Sequence, residues 1–563
     1  MATWQSCYPR PQMKRDSYLP LMEGWTLNGQ AITMPFCPES LLSGYEGALG
    51  ITMTYEVSFM LPKGFLPKGH RLLIHFGAVD QIAEVFLNGR PIVRHEGGYL
   101  PFSGDLTKAL LNGENHLTVC AIDALDHDFP YGKQRKKRGG MWYTPVTGIW
   151  QPVWLEAVPE THIQRLKIVP GLDHIALTVD SRAAHCDAVI RLDGREIVRA
   201  SWANTGEARR IDLPAESIRL WTPDTPVLYD LTVRAGEDRV ESYFALRTVE
   251  IRPDARGIQR LCLNGEPVFL NAVLDQGYFT DGHFLPGDPE EYARDIRRMK
   301  ALGFNTLRKH VKVEPECFYE ACDRLGMLVV QDMVNSGDYH YVLDTVLPTI
   351  GLQYRPNWPV SARRKEIFER CAAETVAHLH DHPCVIGYTI FNEGWGQYDG
   401  DRIYRALKSA DPTRFYNTAS GWFRPKETDV DSRHVYFRNK RLHPGKRPLF
   451  LSECGGYVRR MEGHLWDASK EYGYGKYDTE ALLTDAIARL YAEMVYPAIP
   501  EGLCGVVYTQ LSDVEEEING LYTYDRQVCK VDAEKTRAVL AKAEELLRAA
   551  ASAPENAIGI MQR

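Results

Sequence analysis

Near residue 255 the rhythm of the chain changes, from strands separated by turns to strands separated by helices, and no single layer arrangement accommodates both halves. Before that point Ala83, Val85 and Leu87 alternate with Glu84, Phe86 and Asn88, and the run ends in Asn88-Gly89, a hairpin-closing dipeptide. Leu72 to Phe76 and His116 to Ile122 have the same strand character. With no helical period between them, they predict a jelly-roll-like antiparallel β-sandwich over residues 1–160. A second all-β unit begins near Thr161. There Val189 to Leu192 enters Asp193-Gly194, and Tyr229, Leu231 and Val233 alternate with Asp230, Thr232 and Arg234. About ninety residues of such strands predict an immunoglobulin-like sandwich over 161–252.

From residue 253 onward, apolar runs expected as strands start at 269, 305, 327, 385, 415, 434, 449 and 502. Helical stretches separate most of them. One starts at Pro289, with Tyr292, Ile296 and Met299 on one face; another runs from Pro315 to Leu325 with Gly326 as its stop. Others are expected over 363–380, 400–410, 479–495 and 532–551. Eight strands in about 300 residues is the size of a (β/α)8 TIM barrel. Alternation alone also permits an open doubly wound sheet, but no glycine-rich phosphate loop follows the first strand. The fold class expected is therefore multidomain β plus α/β, with the barrel spanning 253–563.

Composition narrows the function classes. The 66 basic and 74 acidic residues leave a net charge of −8, without the basic footprint of a nucleic-acid binder. No run of about 18 apolar residues marks a membrane span. Twelve scattered cysteines lack any Cys-x-x-Cys pair, and the first residues lack a leader-length apolar run, so a cytoplasmic location is expected. His378, His380 and His382 end a helix before Pro383 without the glutamate of a zinc-protease motif, so no metal or other cofactor is expected. Lys133 to Arg138 is a basic run between glycines, expected as a solvated loop of the first sandwich unless it leans over the barrel mouth.

Barrel chemistry sits where strands end. The fourth run ends in Asn392-Glu393 and the seventh in Ser452-Glu453, so two carboxylates, 60 residues apart, terminate two segments that must be buried. Either could be a structural ion-pair partner. Together they suit glycoside hydrolysis, in which one carboxyl must be protonated and the other ionised.

The segment from His382-Pro383 to Asn392-Glu393 resembles the acid/base strand of glycoside hydrolase family two, and Arg447-Pro448 to Glu453 its nucleophile strand. Leu87-Asn88-Gly89, His95 to Phe102 and Thr147-Gly148-Ile149-Trp150-Gln151 are similar to the family's N-terminal sugar-binding sandwich, and Leu220-Trp221-Thr222-Pro223 with Phe244-Ala245-Leu246-Arg247 to its second sandwich. The resemblance implies Glu393 as general acid/base and Glu453 as nucleophile. It implies Asn392 on the sugar 2-hydroxyl, Tyr436 donating to Glu453, and His434 bordering the sugar. Arg308 and His310 would line the site, Asp275 and Gln276 would take hydroxyls, and Trp395 and Trp422 would offer ring faces. Tyr508 stands where many members place a tryptophan.

Family glucuronidases carry an Asn-x-Lys pair after the last strand; here the stretch reads Glu515-Glu516-Glu517-Ile518-Asn519, and three acids would repel a uronate. The resemblance thus implies a retaining exo-β-glycosidase acting on a carbohydrate, with β-galactosides leading and β-glucuronides or β-galacturonides as rivals. No nucleic-acid or membrane partner is expected; self-association as a homo-oligomer stays open. A non-catalytic carbohydrate-binding scaffold is the alternative from another class.

Overall fold

The computed structural model describes residues 3–349, 352 and 360–552. In the first unit, two antiparallel sheets of four and six strands carry the alternation seen in the sequence. Along Ile82–Leu87 the side chains of Ala83, Val85 and Leu87 are buried, and the hairpin to Arg90–Glu96 turns on Asn88 (φ 53°) and Gly89 (φ 76°), the left-handed pair that a tight hairpin needs. The second unit pairs a three-stranded with a four-stranded sheet around Ile175, Ile190, Leu231 and Val233.

Eight parallel strands follow: β1 (Leu270–Asp275), β2 (Thr306–Lys309), β3 (Leu328–Asp332), β4 (Val385–Asn392), β5 (Phe415–Ser420), β6 (Asp431–Val435), β7 (Leu449–Gly455) and β8 (Leu503–Thr509). Their order is β5-β4-β3-β2-β1-β8-β7-β6. The ladder therefore runs almost all the way round, and Asn417 Nδ2 reaches Ser432 Oγ at 3.4 Å across the remaining β5–β6 gap. Nearly every residue of these strands is buried, which is why they read as continuous apolar runs rather than alternating ones. The expected helices are present. Glu290–Ala301 buries Tyr292, Ile296 and Met299, and Glu316–Leu325 stops at Gly326, whose φ of 71° suits glycine. The sixth strand starts three residues and ends two residues earlier than the sequence suggests, at Val435, with a register shift at Arg433/His434, and Tyr436 follows it. No described helix is long and apolar enough to cross a membrane.

The basic loop of the first unit does not simply extend into solvent. Tyr131 N donates to Asn335 O at 2.9 Å, Tyr131 Oη to Gly337 O at 2.8 Å, and Thr144 N to Glu515 Oε1 at 2.9 Å. Arg135 lies flat over Trp142, its guanidinium carbon 3.9 Å from the ring centroid. Residues 131–144 are thereby fastened to loops at the carboxyl ends of the barrel strands.

Candidate active site

Glu393 follows β4 with φ 56°, a strained value for a side chain other than glycine, held by its N–H donating to Ser420 O at 2.8 Å. The next residue, Gly394, cannot carry a Cβ, which would meet the Phe423 ring at 2.3 Å. This kink aims the Glu393 carboxylate at the barrel axis side of β6. There His434 Nδ1 sits 2.9 Å from Glu393 Oε1 and 3.5 Å from Glu453 Oε2, and its Nε2 is 2.8 Å from Ser420 Oγ. A Ser420 hydroxyl donating to Nε2 leaves the proton on Nδ1, between the two carboxylates. Donor atoms of Glu393, His434 and Glu453 all lie within 4.8 Å of one another.

Glu453 is the more tightly held of the two. Arg308 Nη1 donates to its Oε1 at 2.9 Å, and Tyr436 Oη donates to its Oε2. Arg308 is itself fixed by a two-pronged contact with Asp332 (3.0 and 2.9 Å) and by Nη2 donating to Asn392 Oδ1 at 2.9 Å. His310 Nδ1 pairs with Asp332 Oδ2 at 2.7 Å. Burial pushes the Glu453 carboxyl up, but His434, Arg308 and His310, with the Tyr436 hydrogen bond, overcome it and hold the pKa at about 2. Asn392 spends its oxygen on Arg308, which leaves its amide N–H groups as donors. Burial lowers His310, which favours a neutral ring.

The pocket is lined by Glu393, Glu453, His310, Gln276, Trp422 and Tyr436 from the predicted set. Gln276 Oε1 is buried there without a partner, an acceptor in waiting. Trp422 meets His434 edge-on at 5.4 Å. Three predicted residues are elsewhere. Trp395 is buried among Tyr131, Trp142 and Tyr339, with Nε1 donating to Gly337 O at 2.8 Å, so it has no face for a sugar. Asp275 is committed to Lys309 Nζ at 3.0 Å and Gly277 N at 2.9 Å and does not line the pocket. Tyr508 packs under Gly455, on the other side of β8, and the period-two alternation of the strand puts Thr509 into the pocket instead.

The sequence reading did not name Met141, Tyr472 and Tyr474, which line the pocket together with Lys133 of the basic run and Glu517 of the three acids. Of the three consecutive acids only Glu517 faces the pocket: Glu515 accepts from Thr144 N, and Glu516 pairs with Lys470 at 2.7 Å. Glu517 accepts from Tyr143 Oη and from Asn519 Nδ2 (2.9 Å), and burial raises its carboxyl against the pull of Lys133. Repulsion of a uronate by three charges therefore does not hold. Asp332 was findable, being a third carboxylate at a strand end; the loop tyrosines carried no signal. Tyr341 and Phe437, both largely exposed, complete the lining on the solvent side. Glu393, His434 and Glu453 could also hold a divalent cation, although Glu453 already faces Arg308.

Residues 46–159 match the sugar binding domain of the glycosyl hydrolases family 2, and residues 259–442 its TIM barrel domain, together more than half of the chain. The chain belongs to glycoside hydrolase family 2. The family 2 match ends before Glu453, which the fold itself brings opposite Glu393. A β-galactosidase of Enterobacter cloacae is 28% identical over 431 residues, 71% of this chain and 38% of that protein. One of Aeromonas hydrophila is 28% identical over 477 residues, 75% of this chain and 43% of that protein. The chain thus spans about two-fifths of the length of these family 2 relatives. In fold it is similar to the β-D-glucuronidase of Dictyoglomus thermophilum (TM-score 0.75, 17% identity, 95% of this chain and 98% of that one). It is also similar to an FMN-binding β-glucuronidase from Faecalibacterium prausnitzii (TM-score 0.73, 21% identity, 93% and 86%).

Proposed function

We propose that this family 2 member is a retaining exo-β-glycosidase, and the observation that carries the reading is the close approach of Glu393 and Glu453, one oxygen of each lying within 4.8 Å of the other. Carboxyl groups about 5–5.5 Å apart leave no place for an attacking water between them and the sugar, so the second carboxylate must itself attack. Glu453, ionised beside Arg308 and Tyr436, forms a bond to the anomeric carbon as Glu393 gives a proton to the departing oxygen. In the second half Glu393 takes a proton from water, the water attacks the anomeric carbon, and the Glu453 ester is cleaved with net retention. Asn392 donates to the 2-hydroxyl, and the Gln276 oxygen accepts from another hydroxyl.

A β-galactoside is the preferred substrate in this reading. Its support is the acid Glu517, not a lysine, in the stretch after the last strand, together with the β-galactosidase names of the sequence relatives. A second reading, a β-uronide, is favoured by one observation: Lys133, delivered by the first sandwich, lines the pocket. Hydrolysis of a panel of 4-nitrophenyl β-glycosides tests both, with the galactoside expected to give the highest kcat/KM; a clear preference for the glucuronide or galacturonide selects the second. NMR of the first-formed sugar tests the mechanism, since an α-anomer as initial product refutes the double displacement.

A further inference from the structure

Beside the catalytic pocket, between the loop after β6 and the helix Glu480–Leu490, lies a second cavity of about 410 Å³. The two spaces share one wall, Tyr436, Phe437 and Tyr474. Tyr436 and Tyr474 stack with centroids 4.5 Å apart, and Phe437 stands edge-on to Tyr474 at 5.2 Å, with 65% of its surface exposed. Tyr457 and Tyr477, 5.3 Å apart, continue the aromatic lining on the far side. Among the described residues a single charged side chain completes it, Arg489 in the last turn of the helix. Among the described residues Arg489 has no carboxylate within ion-pair distance, and no aspartate or glutamate lines the cavity.

We propose that this cavity is an aglycone site for a planar aromatic group carrying an anionic substituent, the ring lying against Phe437 and the tyrosines and the anion meeting Arg489. The proposal rests on the glycosidase reading above and deepens it to a substrate class. For a sugar's hydroxyls the described lining offers no carboxylate, only the tyrosine hydroxyls and the Asn439 amide, whose Nδ2 is already donating to Glu493 Oε2 at 2.8 Å. An aromatic ring finds faces and edges at the 4.5–7 Å spacings that such pairs adopt. A lone guanidinium beside aromatic rings favours a carboxylate or sulfate. Phe437, exposed and bordering both spaces, is where they adjoin, so a group leaving the pocket over Phe437 meets this cavity.

The test compares 2-naphthyl with 6-carboxy-2-naphthyl β-glycosides of the best-cleaved sugar, on the full chain. The wild type is expected to show a KM about fivefold lower for the carboxylated substrate, an advantage that shrinks at about 0.5 M salt. Arg489→Gln is expected to bring the two KM values together, and Phe437→Ala to raise both. An equal KM for the two substrates in the wild type, or an unchanged ratio in Arg489→Gln, overturns the proposal. Calorimetry with free 6-hydroxy-2-naphthoate gives a readout that needs no hydrolysis. Binding that weakens in Arg489→Gln supports the site, and binding that is absent or indifferent to Arg489 refutes it. If no β-glycoside is cleaved, the glycosidase reading fails while this binding measurement still decides on the cavity.

Discussion

Two buried ionic clusters sit in different regions of the molecule and are built from the same residue types. At the seam of the two sandwiches, Arg15 bonds Glu156 at 2.8 Å and Asp238 at 2.9 and 3.1 Å. Glu156 also takes Tyr8 and Trp154, Asp238 takes the N–H groups of Ile163 and Arg239, and His75 closes the ring 3.5 Å from Glu156. Every carboxylate oxygen there has its partners. In the barrel, Arg308 gathers Asp332, Asn392 and Glu453 in a similar way, yet Glu393 and Glu453 keep faces turned into a cavity. A closed network holds domains together, whereas a network left open towards a pocket keeps a charge available for a ligand. The predictions below separate the two.

The largest effect is expected at Glu453. Glu453→Gln leaves the contacts with Arg308 and Tyr436 nearly isosteric but removes the proposed nucleophile, so kcat is expected to fall by more than about 10⁴-fold with the melting curve little changed. Its depressed pKa carries a sign. Its contribution to stability is complete above the ordinary carboxylate value of about 4.3 and is lost as the pH falls towards 2. An acid limb of kcat/KM above about pH 3 must then belong to a group other than Glu453.

Next comes Glu393→Gln itself. Loss of a general acid costs about 10²–10⁴-fold, and the cost is expected to grow with the pKa of the leaving group. Measuring kcat/KM, which reports the first step alone, for a dinitrophenyl and an alkyl β-glycoside gives the contrast: an equal loss on both would contradict the proton-donor role. At the seam, Glu156→Gln is expected to lower stability by about 3 kcal/mol, read as a shifted urea midpoint, because the buried Arg15 loses a counter-charge. Its kcat should match the wild type. A large kcat defect would show that the seam is coupled to the pocket after all.

How legible all this was in the sequence depends on what each residue's neighbours are. The barrel strands were readable because burial on both faces makes them continuous apolar runs, and Glu393 and Glu453 because a carboxylate at the end of such a run is out of place. Arg308, Asn392, His434 and Tyr436 were reached through the family resemblance, and the structure places all four around the two carboxylates. Trp395 and Tyr508 were misplaced because a sequence shows that an aromatic stands near a site but not which side of the backbone it leaves from; one step along β8 separates Tyr508 from Thr509. Lys133 and Glu517 could not be found at all as a pocket pair, being 384 residues apart and joined only by the docking of the first sandwich on the barrel.

That pair gives the smallest and most informative prediction. Lys133 is the one cation of the first sandwich lining the pocket, and Glu517, raised by burial, faces the same space. On a neutral sugar the two offset each other, and Lys133→Ala is expected to change kcat/KM for the galactoside only about twofold. On a uronate Lys133 supplies the counter-charge, and its loss is expected to cost about tenfold in kcat/KM, the scale of one charged contact in a partly buried site. The quantity to measure is thus the galactoside-to-uronide ratio in wild type and variant. A ratio unmoved by Lys133→Ala would mean that the sandwich loop braces the barrel mouth as the seam braces the two sandwiches, and that sugar choice is made entirely by barrel residues. A ratio moved by tenfold would put part of the specificity on a domain that contributes nothing to the chemical step, and would explain why the loop is pinned at Asn335, Gly337 and Glu515 instead of being left in solvent.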